Sequence, residues 1–265
     1  MKARATCSVA ATAAAVILFA GTLSANHSWG GYHWARTANP FTLKVGDNVG
    51  AAWDSILNTT IADWSQSTVL NLTKVAGSAN PKNCRPTSGR VEVCNSTYGN
   101  NGWLGIAQIW ASGGHITQGV TKLNDTYFNT ARYNTTAWRN LVSCQEVGHN
   151  LGLAHQDENF DNPNLGTCMD YTSDPSTNQH PNNHDYNQLE SIYAHLDSTT
   201  TVGALLPSSA PGAFRDLDIE GPGQWGRLVS STRDGRSQTF ELDFGHGNKV
   251  ITHVLWSDEA LGRGR

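Results

Sequence analysis

Apolar positions recur at three- and four-residue steps in three stretches of the chain and alternate with polar ones in most others. Over residues 47–65, Val49, Ala52, Trp53, Ile56, Ile61 and Trp64 keep helical spacing and predict a first helix. A second is predicted from Thr136, with Thr135 or Thr136 as N-cap; Trp138, Leu141, Val142 and Val147 share one side, and Leu151 ends it. A third begins near Asp185, with Leu189, Ile192, Tyr193 and Leu196 on its apolar side. Strands are predicted over 29–37, 68–75, 89–93, 103–110 and 115–123, and a loop-rich stretch over 152–183.

Beyond Asp197 the texture changes to Ser, Thr, Ala and Pro, as in a linker. Three alternating runs follow, over 225–231, 237–244 and 249–256, with turns at Asp234-Gly235 and 245–247. A three-strand meander buries too little surface to stand alone, so this tail is expected to pack on the main domain or to need a partner. The class is therefore α+β. The expected organisation is a signal peptide at 1–25, a main domain at 26–197, a linker at 198–213 and a short β-rich tail at 214–265.

The expected signal peptide rests on Lys2 and Arg4, an apolar run over 10–20, and Leu23-Ser24-Ala25 as cleavage site. The run is too short to span a bilayer and nothing apolar follows, so a secreted, extracellular protein is expected, with no membrane contact after cleavage. Charged residues make up 15% of the 265 and the net charge is -4, which leaves no basic footprint for nucleic acid. Once Cys7 leaves with the signal peptide, Cys84, Cys94, Cys144 and Cys168 remain, and two disulfides are expected. Cys84 and Cys94 flank a short loop and are paired, which leaves Cys144 with Cys168. Sequons stand at Asn26, Asn58, Asn71, Asn95, Asn124 and Asn134.

The chemistry concentrates in Cys144-Gln145-Glu146-Val147-Gly148-His149-Asn150-Leu151-Gly152-Leu153-Ala154-His155. On a helix Gln145 and His149 leave the same face one turn apart, with Glu146 beside them. Gly152 can take positive φ, so the helix stops and the chain turns His155 back toward the same point. Two imidazoles, one further ligand and an open position describe a catalytic metal site. Glu146 is the candidate proton acceptor.

This segment resembles the metzincin signature H-E-x-x-H-x-x-G-x-x-H at Glu146, His149, Gly152 and His155, and departs from it at Gln145. Cys168-Met169-Asp170-Tyr171 resembles the metzincin Met-turn. The likeness implies a twisted mixed sheet with active-site helix, Met-turn and C-terminal helix, a Zn2+ cofactor, and Met169 beneath the metal. It also implies Tyr171 as a zinc ligand or oxyanion partner, and an extended polypeptide substrate paired with backbone 105–110 at the cleft rim. The expected Cys144–Cys168 bond would clamp helix and Met-turn together.

Gln145 can offer its carbonyl oxygen to the metal, a weaker ligand than imidazole. Tyr171, Asp157, His180 and His184 are candidates to compensate. His27, His33, His115, His195, His246 and His253 are scattered and read as surface or packing residues. The expected function is a monomeric zinc metalloendopeptidase; the competing one is a metal-free shell that binds peptide or carbohydrate.

Overall fold

The computed structural model describes residues 27–206, 210–215, 217, 219 and 221–262. The expected signal peptide, Cys7 and the Asn26 sequon lie outside them. The chain is a mixed α+β structure built on one nine-stranded sheet.

In chain order come β1 (His33–Trp34), β2 (Phe41–Asn48), α1 (Asp54–Trp64), β3 (Leu70–Ala76), β4 (Val91–Ser96), β5 (Trp103–Ser112) and β6 (His115–Asn124). Then follow α2 (Asp125–Phe128), α3 (Thr136–Asn150), α4 (Asn183–Ile192), α5 (Gly212–Arg215), β7 (Arg227–Ser231), β8 (Ser237–Asp243) and β9 (Asn248–Trp256). The sheet runs β3-β2-β4-β6-β5-β9-β8-β7, with β1 also pairing β6. Pairing is parallel from β3 through β6 and antiparallel from β6 through β7.

The strand expected over 29–37 shortens to His33–Trp34, and α4 ends at Ile192, leaving Leu196 beyond it and exposed. Two further expectations change. The first helix begins at Asp54, and Asp47 and Asn48 instead end β2, a strand the sequence reading passed over. Phe41, Leu43 and Val45 are buried while Thr42 and Lys44 are exposed, the period-two pattern of a strand covered on one face. The second concerns β5, expected to be the cleft rim with a free edge for peptide. All of it but Ser112 is buried, and β9 pairs along it from Trp103 to Ser112, so the chain itself fills that edge.

Apolar side chains gather on both faces of the sheet. On the helical face, Trp34, Leu43, Val45, Trp53, Trp64, Leu141, Val147 and Met169 form the larger core. On the other, Trp103, Ile106, Trp110, Phe214, Trp225, Phe240, Val250 and Val254 pack around the Cys84–Cys94 disulfide. Of the two alternatives for the meander, it packs on the main sheet. Part of the expected linker is pinned as well: Thr201 N donates to Ala35 O at 2.9 Å and Gly203 N to Gly89 O at 2.8 Å. Asn124 is fully buried as the N-cap of α2, so its sequon is closed to modification.

Because Trp225 is fully buried in a core shared by β5 and β9, Trp225→Ala is expected to destabilise the whole chain by about 3–5 kcal/mol. Urea denaturation followed by tryptophan fluorescence should show one transition moved to lower urea. An unmoved main transition with separate early loss of the tail would contradict this account.

Candidate metal centre and catalytic residues

Helix α3 supplies the core of the site. Thr135 caps it by accepting a hydrogen bond from Trp138 N, and the Cys144–Cys168 disulfide ties it to the segment carrying Met169. Gly148 sits mid-helix, where glycine costs about 1 kcal/mol relative to alanine. A Cβ there would stand 2.7 Å from both Met169 Sδ and the Trp64 ring, so the glycine lets both pack on the helix backbone. After α3, Gly152 takes φ +95°, and a Cβ there would come within 2.3 Å of the Tyr32 carbonyl oxygen. The reversed chain is then held on two sides: Ala154 N donates to His27 O and Gln156 N to Met169 O, each at 2.6 Å. His155 lies between them.

This turn brings His149 and His155 together, with their Nε2 atoms 3.0 Å apart. Nδ1 of His149 lies 2.8 Å from the Leu153 carbonyl, which can only accept, so Nδ1 carries the ring proton and Nε2 presents a bare lone pair. Zinc–imidazole bonds of about 2.0–2.1 Å in a tetrahedron separate the nitrogens by about 3.3 Å, so a divalent cation fits between these rings. The outward bond from Nδ1 to a backbone carbonyl is also the usual support for a metal-ligating imidazole.

The third imidazole is His253 from β9, taken at first for a surface or packing residue. It is fully buried, with ring centroids 4.0 Å from His149 and 4.8 Å from His155. One nitrogen from each of the three rings lies within 4.8 Å of the others. His253 Nδ1 and Glu146 Oε2 share a hydrogen bond of 3.1 Å, and its Nε2 meets Ser237 Oγ at 2.8 Å. The other carboxylate oxygen of Glu146, Oε1, is buried without a hydrogen-bond partner.

Gln145 leaves the same helix, and its Oε1 is buried without a hydrogen-bond partner. Its Nε2 donates to the Cys168 carbonyl at 3.0 Å, and the residue lines a neighbouring cavity with Trp138, Leu141, Phe160 and Tyr171. Turning the amide over would set two acceptors face to face, so this orientation is the favoured one. Tyr171 is buried with its ring on His155 at 3.9 Å between centroids; its hydroxyl bonds Ser237 and lies 3.4 Å from His253 Nε2. The candidate compensating ligands are engaged elsewhere. Asp157 accepts from Asn159 N and Asn162 Nδ2, His180 pairs with Asp63, and His184 stacks on His27.

Burial sets the protonation of the cluster. It pushes Glu146 up to about 8, against the opposing pull of His149 and the Ala107 backbone. It pulls His149 down to about 3, assisted by His253, and His253 itself down to about 3. His155 is lowered well below the usual imidazole range by burial and by its two neighbours. Three neutral imidazoles and an acid beside them are the protonation state that a cation ligates without displacing ring protons. A cleft of about 300 Å³ opens onto His149, His155 and His253, lined also by Trp29, Tyr32, Val229 and Ser230.

Further His/Asp groups form elsewhere: His27 with His184 and Asp185, and His33 with His195 and Asp197. The histidines taken as scattered therefore converge, apart from His246; strand pairing and long-range packing join them, and no spacing along the chain announces it. No protein-family model and no curated protein matches this chain.

Metal-free stability should follow the titrations of the cluster. The depressed imidazoles contribute stability that is present above about pH 6.5 and lost as pH falls toward 3. Glu146 acts oppositely, because its contribution is full below about pH 4.5 and lost as pH rises through 8. Glu146→Gln removes only the second. In chelator, its melting temperature relative to wild type should climb between pH 5 and pH 8; a constant difference would mean that the carboxyl is not held in its neutral form.

Proposed function

We propose that this chain is a secreted zinc-dependent metalloendopeptidase of metzincin type, with His149, His155 and His253 as protein ligands and Glu146 as general base. One observation carries the reading: the bare Nε2 of His149 faces Nε2 of His155 at 3.0 Å beside a buried carboxylate. A divalent cation bound there supplies Lewis acidity toward a substrate carbonyl and toward water.

Glu146 takes the proton from the attacking water and returns it to the departing amine. Its unpartnered Oε1 is free for that transfer; His253, whose Nε2 is taken by Ser237, would ligate through Nδ1 and give up its bond to Glu146 Oε2. Positive charge among the imidazoles opposes the effect of burial on Glu146, returning it to the carboxylate that a base requires. Ser237 and Tyr171 hold His253 in place. Cys144–Cys168 and Met169 fix α3 against the segment that follows His155.

An extended polypeptide suits the open cleft. With the β5 edge filled by β9, the terminal strand on that side of the sheet is β7, whose Val229 and Ser230 line that cleft. The second reading, a shell that binds peptide without cleaving it, draws on the hydrogen bond that occupies Glu146 and on the covered β5 edge.

Casein cleavage and zinc content separate the two. Glu146→Ala is expected to keep zinc and lose activity by about 10²–10⁴-fold. His253→Ala should lose one equivalent of zinc together with activity, and Gln145→Ala should keep the metal. Wild type as inactive as Glu146→Ala, with or without chelator, would establish the binding shell instead. Zinc lost in Gln145→Ala but kept in His253→Ala would restore the glutamine as ligand.

A further inference from the structure

At the far end of the sheet lies a group that the proposed reaction does not use. The parallel pairing of β1 with β6 sets His33 directly opposite His115. The chain leaving α4 then runs beside β1, with Asp197 N donating to Arg36 O at 2.9 Å, and brings His195 and Asp197 onto the same spot. Around Asp197 Oδ1 stand His115 Nε2 at 3.2 Å, His33 Nε2 at 3.6 Å and His195 Nε2 at 3.6 Å. His33 and His195 also face each other, Nε2 to Nε2, at 3.2 Å.

We infer that His33, His195 and Asp197 form a site for a zinc-class divalent cation, with His115 bonded to Asp197 beside it. A tetrahedron with bonds of about 2.0–2.1 Å has edges of about 3.3 Å. The separations among His33 Nε2, His195 Nε2 and Asp197 Oδ1, 3.2, 3.6 and 3.6 Å, lie close to that length. The rings are crossed, at 89° for His33 on His115 and 85° for His33 on His195, so they fan around a point and do not stack.

The outer contacts suit ligands. His33 Nδ1 lies 3.0 Å from the Gly31 carbonyl, which places the proton on Nδ1 and leaves Nε2 bare. The second oxygen of Asp197 accepts from Arg36 N at 3.1 Å and from its guanidinium at 2.9 Å, leaving Oδ1 to the imidazoles. Two imidazole nitrogens and one carboxylate oxygen favour zinc over calcium or magnesium, which require oxygen donors. The ligands come from β1 and from the chain beyond α4, so a bound cation fastens the two together.

The inference is independent of the proposed activity, and its test is arranged to stay so. The disulfide-bonded chain is loaded with Zn2+ or Co2+; bound metal is counted by mass spectrometry and cobalt followed by its visible absorption. His195 is half exposed, so His195→Ala should fold and bind one equivalent fewer than wild type, and His33→Ala likewise. The double variant His149→Ala/His155→Ala, which removes the proposed catalytic ligands, should keep this equivalent and its tetrahedral cobalt spectrum. Chelator should lower the melting temperature of that double variant and lose the effect once His195→Ala is added. Metal counts and chelator shifts unchanged from wild type in both His195→Ala and His33→Ala would overturn the site.

Discussion

The pairing of β9 with β5 is the constraint on which the rest depends. In its register His253 stands opposite Ala107, and β5 packs directly beneath α3. One ladder of backbone hydrogen bonds thus carries a residue from near the end of the chain to the helix bearing Glu146 and His149. The same ladder buries Trp103, Ile106 and Trp110 on the far face against Val250 and Val254. A shift of one residue would turn His253 to that far face and an apolar neighbour toward the carboxylate. Packing and chemistry therefore select the same register.

Electrostatics inside the cluster follow from its dryness. Each ionisable group is held in its neutral form by burial, Glu146 with a raised pKa and the imidazoles with lowered ones. Neutral groups at these distances gain little from one another, and an unpartnered carboxylate oxygen at 0% exposure is costly. A cation reverses both effects: it gives the lone pairs a partner and gives Glu146 a reason to ionise. This is why the same residues that burden a metal-free fold suit a metal-loaded one.

The local parts of the site were legible in the sequence. The four-residue step from Gln145 to His149, the positive-φ glycine at 152 and the pairing of Cys144 with Cys168 are short-range patterns, and the structure places those residues as neighbours. Strand β2 was also legible, since Phe41, Leu43 and Val45 alternate with polar residues; the helical spacing of the next segment obscured it. What could not be read were the partners from distant strands. His253 meets Glu146 across 107 residues and His115 meets Asp197 across 82, and a lone histidine carries no signal of such a meeting. The edge of β5 was misjudged for the same reason, because a tail read as an appendage is the strand that fills it.

Moving a ligand from helix to strand changes what the proposed site demands of the fold. A ligand at position 145 would come with α3 alone, one turn from His149, and would need nothing from the C-terminal meander. A ligand at 253 exists in place only when β9 is paired, since Ser237 of β8 and Tyr171 hold its ring. Gln145 lines the adjoining cavity beside Trp138 and Leu141, with its Nε2 tied to the Cys168 carbonyl. In the proposed enzyme, metal binding is therefore coupled to complete folding of the sheet, and a chain lacking its last strands would keep the signature residues and still lack the third ligand.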